Sequence, residues 1–285
     1  MKVGKWEISW DQVRMILLWV ALPLIVGVLI AAAIPRPVIG VVYLDMPIDT
    51  YSARYILTQL DYARTHASVR AVVLTLDSPG GTVADTETIY QELLALRRVK
   101  PVVASVGSMA ASGAYYLASG TDYIIANPTS EVGNVGVIGY LPDNPAIFES
   151  TVSTGPYKLW GEPRDTYLRE MEMIKQGFYQ AVKLGRGSRL KVGPEIILTG
   201  RIWPGSEALR VGLIDALGSP TDAAAKAAHL ANVDHYQAVD LAVPAYAQVL
   251  ASTNFFYQTK DGITLSYPTK PGLYLLYIPP LPVEK

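Results

Sequence analysis

The chain opens on an apolar stretch and then settles into alternating strand-like and helix-like pieces. From Met15 to Ile34 it reads MILLWVALPLIVGVLIAAAI, without a charge. At ~1.5 Å per helical residue this covers roughly 30 Å, the depth of a bilayer's hydrocarbon core. It predicts a membrane-spanning helix over 15–34. Lys2, Lys5 and Arg14 precede it, so the positive-inside tendency puts residues 1–14 in the cytoplasm and the remainder outside. Ala31-Ala32-Ala33 also fits the end of a cleavable leader. The apolar run is long for a leader, however, and Ile34-Pro35 is a poor start for a mature chain. The expectation is an uncleaved, single-pass anchor in the cell membrane with an extracytoplasmic domain.

Beyond Pro35-Arg36-Pro37, VIGVVYL (38–44), RAVVLTLD (70–77), PVVASV (101–106) and DYIIA (122–126) read as strands. Their apolar runs are continuous rather than alternating, as in strands covered on both faces. Helical spacing fills the gaps over 52–66, 82–96 and 112–119, with a longer helix over 163–183. In that helix Leu168, Met171, Ile174, Phe178 and Ala181 share one stripe. Shorter helices are predicted near 205–211 and 221–231, a polar loop over 257–271 and a last strand over 272–278. Strands separated by helices of this length imply repeated β-α-β units and a mostly parallel sheet. The fold class is α/β, with one soluble domain over 37–285.

Composition narrows the chemistry. Lys plus Arg total 24 against 25 for Asp plus Glu, so there is no basic surplus to attract nucleic acid. The chain has no cysteine, which removes disulfides, thiolate metal sites and a cysteine nucleophile together. Its three histidines, His66, His229 and His235, are scattered, poor material for a metal site or a Ser-His triad. No phosphate-binding glycine motif is present either, and no cofactor or metal is implied.

Two glycine-containing turns each follow a strand and open a helix: Ser78-Pro79-Gly80-Gly81-Thr82 and Ala110-Ala111-Ser112-Gly113-Ala114. Helix N-termini at strand C-terminal ends offer unpaired N–H groups for an anion. Side by side, such turns can form an oxyanion hole with a nucleophile beside it. Each also has a plainer explanation. Ser112 fits an ordinary helix N-cap, and Thr82-Val-Ala-Asp85 fits a capping box.

The run PVVASVGSMAASGAYYLASGTDYIIANPTSEVGNVGVIG resembles the core motif of the signal peptide peptidase A family of serine peptidases. LDSPGGTVADTETIY resembles that family's Gly-Gly motif, and GPYKLWGEPRDTYLREM its lysine segment. GRIWPGSEALRVGLIDALG and PGLYLLYI extend the likeness over most of 38–278. The resemblance implies the crotonase-like, Clp-protease-like fold. It also implies Ser112 as nucleophile, Lys158 as general base, and the Gly81 and Gly113 N–H groups as oxyanion hole. Asn134 stands where family members often carry a serine that orients the lysine. Its side-chain carbonyl accepts hydrogen bonds, so the role survives on paper.

A lysine takes up a proton only when neutral, and apolar surroundings favour that form. Tyr157, Leu159 and Trp160 flank Lys158 and would supply them. The function implied is a membrane-anchored endopeptidase hydrolysing remnant signal peptides or other hydrophobic membrane-derived peptides. A ring-like homo-oligomer is also implied, in which neighbouring chains contribute to each site. The alternatives are a Ser-Lys protease dedicated to one membrane protein, and a non-catalytic scaffold of the same fold.

Overall fold

The structure, a computed structural model, describes residues 10–33, 36–140, 152–155, 157, 158, 161, 163–252, 257, 258, 264 and 265. The expected span over 15–34 is not one uniform α-helix. Helix α1 (Trp10–Ile16) passes into a π-helical turn at Leu17–Ala21, and α2 (Leu22–Ala33) follows. Pro23 has no N–H to donate to the carbonyl four residues back, and the wide turn lies directly ahead of it. Among the described residues no helix is long and apolar enough to cross a membrane. The large apolar side chains among residues 17–20 and 22–29 are nevertheless exposed, Leu24 at 66% and Leu29 at 63%.

The sheet begins at β1 (Val38–Leu44), followed by α3 (Thr50–Thr65), β2 (Val69–Ser78), α4 (Val83–Arg97), β3 (Val102–Ala111) and α5 (Gly113–Ser119). Next come β4 (Tyr123–Ala126), β5 (Glu131–Gly133), α6 (Arg164–Arg186), α7 (Pro194–Ile197), β6 (Ile202–Pro204) and α8 (Gly205–Val211). Then β7 (Ala216–Leu217), α9 (Pro220–Leu230), β8 (Gln237–Asp240) and α10 (Ala242–Ser252) complete it. The strand order is β6-β5-β3-β2-β1-β8, with β4 beside β3 and β7 beside β4. All pairings in this sheet are parallel except β5 with β6. The predicted α/β class and mostly parallel sheet are therefore present.

Both faces of the sheet are covered, which explains the unbroken apolar runs. Val72, Leu74 and Leu76 of β2 pack with residues of α3, α4 and α5 in the larger core. Ala71 and Val73, on the opposite face, meet Ala223, Ala224, Ala227 and Ala228 of α9. At one end a bidentate pair from Arg186 to Asp215 is buried, both side chains under 5% exposed. Asp215 Oδ2 also accepts from Ile124 N, tying α6 to β4.

Two local expectations change. Strand β3 runs on past the predicted end at Val106, because Met109–Ala111 pair with β5 while Val103–Val106 pair with β4. The strand therefore delivers the chain directly to Ser112. The capping box at α4 does not form. Thr82 N donates to Ile48 O at 2.9 Å, so it is not free for Asp85, and the Thr82 hydroxyl donates to the Asp85 carboxylate instead. The predicted strand over 272–278 and most of the 257–271 loop lie outside the described residues. Of that loop the described residues contain only a short antiparallel pair, β9 (Tyr257–Gln258) with β10 (Thr264–Leu265).

Candidate active site

Ser112 occupies the junction between β3 and α5. Its backbone has φ 52° and ψ −124°, a region that costs a residue with a Cβ about 1–3 kcal/mol. The surroundings hold it there: Ser112 N donates to Gly133 O at 2.9 Å, and Tyr116 N donates to Ser112 O at 2.9 Å. An ordinary N-cap serine would have extended backbone and a side chain accepting from the helix's first N–H groups. Ser112 has neither, and its hydroxyl has no hydrogen-bond partner among the described residues. The plain capping explanation therefore fails on geometry.

The glycine turn after β2 lies against this junction. Ile48 N donates to Gly80 O and Thr82 N donates to Ile48 O, so the bridge to Ile48 uses the groups on either side of Gly81. In a parallel bridge of this kind the intervening residue's own N–H faces the other way. The N–H groups of Gly81 and Gly113 both lack a partner among the described residues. Side chains are excluded at both positions. A Cβ on Gly81 would collide with the Ile48 carbonyl, and one on Gly113 would meet Thr86 Oγ1 at 2.6 Å.

Ser112, Gly81, Gly113 and Asn134 all line one cavity of about 630 Å³. Asn134 has φ 55°, a left-handed conformation that asparagine tolerates better than most residues. Its Nδ2 donates to Gly200 O at 2.7 Å. Because a carbonyl only accepts, this fixes which end of the amide faces Gly200 and leaves Oδ1 as the remaining acceptor.

Lys158 is not brought to this cavity within the chain. It is exposed, as is Tyr157 at 59%, so Tyr157 does not supply the apolar cover expected of it. Leu159 and Trp160 lie outside the described residues. None of the three histidines lines the cavity. His66 ends α3, stacked on Tyr62 with ring centroids 3.8 Å apart.

The remaining walls escaped the sequence reading. Tyr116 lies one helical turn beyond Ser112, a spacing that would have marked it. Val83, Thr86 and Glu87 come from α4, and Leu198, Thr199 and Gly200 from the segment after α7. Ile174 and Phe178 belong to the predicted apolar stripe of α6, which thus lines the cavity as well as the core. Lys175 lies beside them, paired with Glu172 Oε2 at 2.5 Å. Nothing in its local sequence marked Lys175.

A strained serine at a strand-to-helix turn, beside a second glycine turn on a parallel α/β sheet, is the arrangement of the Clp-protease-like proteins. The Clp protease family model matches residues 39–132. The model described as peptidase family S49 matches residues 95–234. Protease 4 of Salmonella typhi is 34% identical over 198 residues, 63% of this chain and 32% of that protein. A protein of Methanocaldococcus jannaschii, named as a candidate protease, is 33% identical over 207 residues, 68% of this chain and 67% of that protein. The chloroplastic serine protease SPPA of Arabidopsis thaliana is 29% identical over 204 residues, 67% of this chain and 30% of that one. The chain belongs to peptidase family S49, and the resemblance to signal peptide peptidase A proteins is borne out. It spans only about a third of the length of the Protease 4 and SPPA relatives.

Proposed function

We propose that this protein is a membrane-anchored serine endopeptidase with Ser112 as nucleophile and Lys158 as general base. The observation that carries the reading is Ser112 itself, held in strained backbone, its hydroxyl and the two nearby N–H groups without a partner among the described residues. Ser112 Oγ attacks the peptide carbonyl carbon while the neutral Lys158 amine takes the hydroxyl proton. The Gly81 and Gly113 N–H groups stabilise the oxyanion. Collapse expels the amine leaving group, which takes the proton back from Lys158. Water then cleaves the acyl-enzyme with the same lysine as base, releasing a carboxylate.

Within one chain Lys158 is exposed and outside the Ser112 cavity. This favours a ring-like homo-oligomer in which a neighbouring copy supplies the lysine. Asn134 Oδ1 is then the acceptor that orients it. The exposed apolar side chains from Leu17 to Leu29 favour a bilayer around the N-terminal helical turns. Residues 1–14 then lie in the cytoplasm and the peptidase domain, 37–285, outside. That placement favours hydrophobic peptides leaving the membrane, such as remnant signal peptides, as substrates.

The test is labelling of the full chain in detergent with a fluorophosphonate, alongside hydrolysis of a hydrophobic peptide. Wild type is expected to label and cleave, and Ser112→Ala to do neither. A folded, assembled wild type that does neither would show a scaffold instead of an enzyme.

A further inference from the structure

We infer that Glu87, on the wall of the Ser112 cavity shared with Tyr116, selects a basic side chain close to the scissile bond of the substrate. The inference rests on the peptidase reading above and goes beyond it by naming a specificity determinant.

The cavity walls are about half apolar, with Val83, Tyr116, Val137, Ile174, Phe178 and Leu198 among the apolar residues that line it. Among the described residues two charged ones line it. Lys175 is neutralised by Glu172. Glu87 is exposed and has no hydrogen bond or ion pair among the described residues. It is therefore the unbalanced charge of the cavity among those residues.

Glu87 also lines the same cavity as Ser112 and Gly113. Val83, Thr86 and Glu87 fall on one face of α4, at the spacing that brings helix positions together. The Thr86 hydroxyl donates to Thr82 O at 2.7 Å, and the residue packs directly against Gly113. The carboxylate thus follows by one residue a side chain in contact with the proposed oxyanion hole. Tyr116 rises from α5 one turn beyond Ser112. Its ring is held between Tyr90 and Phe178, with centroids 4.7 and 4.9 Å away. Burial, with the charge of Glu87 and the neighbouring Tyr90 adding to it, pushes the Tyr116 hydroxyl up to about 12. The ring therefore stays a neutral wall at working pH.

A lysine or arginine side chain suits this geometry. Its methylene stem lies along the apolar walls and its charged head reaches Glu87, the division that long basic side chains make elsewhere. A leucine fills the walls but gains nothing from the carboxylate. A glutamate meets like charge.

The experiment uses the full chain in detergent and hydrophobic peptides that differ only in Lys, Leu or Glu at one of the three positions before the scissile bond. Wild type is expected to favour Lys over Glu in kcat/KM by about five- to tenfold at one position, the combined scale of one exposed attraction and one exposed repulsion. That ratio should shrink in high salt, which screens an exposed pair. It should fall towards one in Glu87→Gln and invert in Glu87→Lys, each variant checked for unchanged melting and assembly size. Loss of structure would lower all three peptides together and cannot invert the ratio. Cleavage with the same ratio in wild type and Glu87→Lys overturns the inference and leaves the peptidase standing. No cleavage of any peptide, with no labelling of Ser112, removes both.

Discussion

Gly80 and Ser112 sit so close that a Cβ on Gly80 would come within 2.9 Å of the Ser112 Cβ and 2.5 Å of Gly113 N. Gly80 also has φ +91°, where a side chain is strained regardless of space. The two glycine turns therefore fit only while this position carries no side chain. Gly80→Ala is expected to cost about 1–3 kcal/mol in stability. By displacing Ser112 it should also lower fluorophosphonate labelling about a hundredfold. Thermal melting and labelling rate, measured on the same preparation, separate the two effects.

Asn134 allows a cleaner separation. Asn134→Gly keeps the left-handed backbone and removes the amide, whereas Asn134→Ala removes the amide and adds strain. If Oδ1 orients the catalytic lysine, both variants lose about 10- to 100-fold in kcat/KM, the worth of one hydrogen bond to a charged group. Asn134→Gly should do so with little change in melting. Near wild-type turnover in Asn134→Gly would show that the asparagine serves the turn alone.

Lys158 is exposed and does not line the Ser112 cavity of its own chain. With Lys158 as the proposed general base, Lys158→Ala is nevertheless expected to lower kcat/KM by about 10²- to 10⁴-fold. If a neighbour supplies the lysine, mixing Ser112→Ala with Lys158→Ala subunits and allowing reassembly restores part of the activity. Each pure variant stays inactive. Absence of recovery in confirmed mixed assemblies would place both residues' function within one chain.

A stability prediction follows from Asp215. Burial alone pushes its carboxylate up, but the hydrogen bonds and charges of Arg186, with Ile124 N and Arg189, outweigh that and hold it below the usual range. A carboxylate depressed in the folded state contributes stability above its unfolded value near 4, and that contribution is lost as pH falls through the folded value. Melting temperature should therefore drop below about pH 4, with a shallower acid slope in Asp215→Asn. At neutral pH that variant leaves Arg186 buried without its counter-charge and is expected to lose about 3–5 kcal/mol.

What sequence alone determined were the features written in local pattern. The runs at 38–44 and 205–211 became β1 and α8 with the same bounds, since period and turn residues are properties of neighbouring positions. Parallel topology followed from the helices between strands. Ser112 at a strand-to-helix junction was legible, and family likeness gave that serine a role its own residue type does not. Tertiary structure decided the rest, because it depends on partners far away in the chain. Strand β3 reaches Ser112 only because β5 pairs with its end. The strained backbone of Ser112 is held by Gly133, and the amide of Asn134 is turned by Gly200, 66 residues on. The cavity gathers residues from α4, α5 and α6 whose local sequence marks them only as helix faces. Local pattern records which side of an element is buried; which residues from other elements complete the site is set by long-range packing.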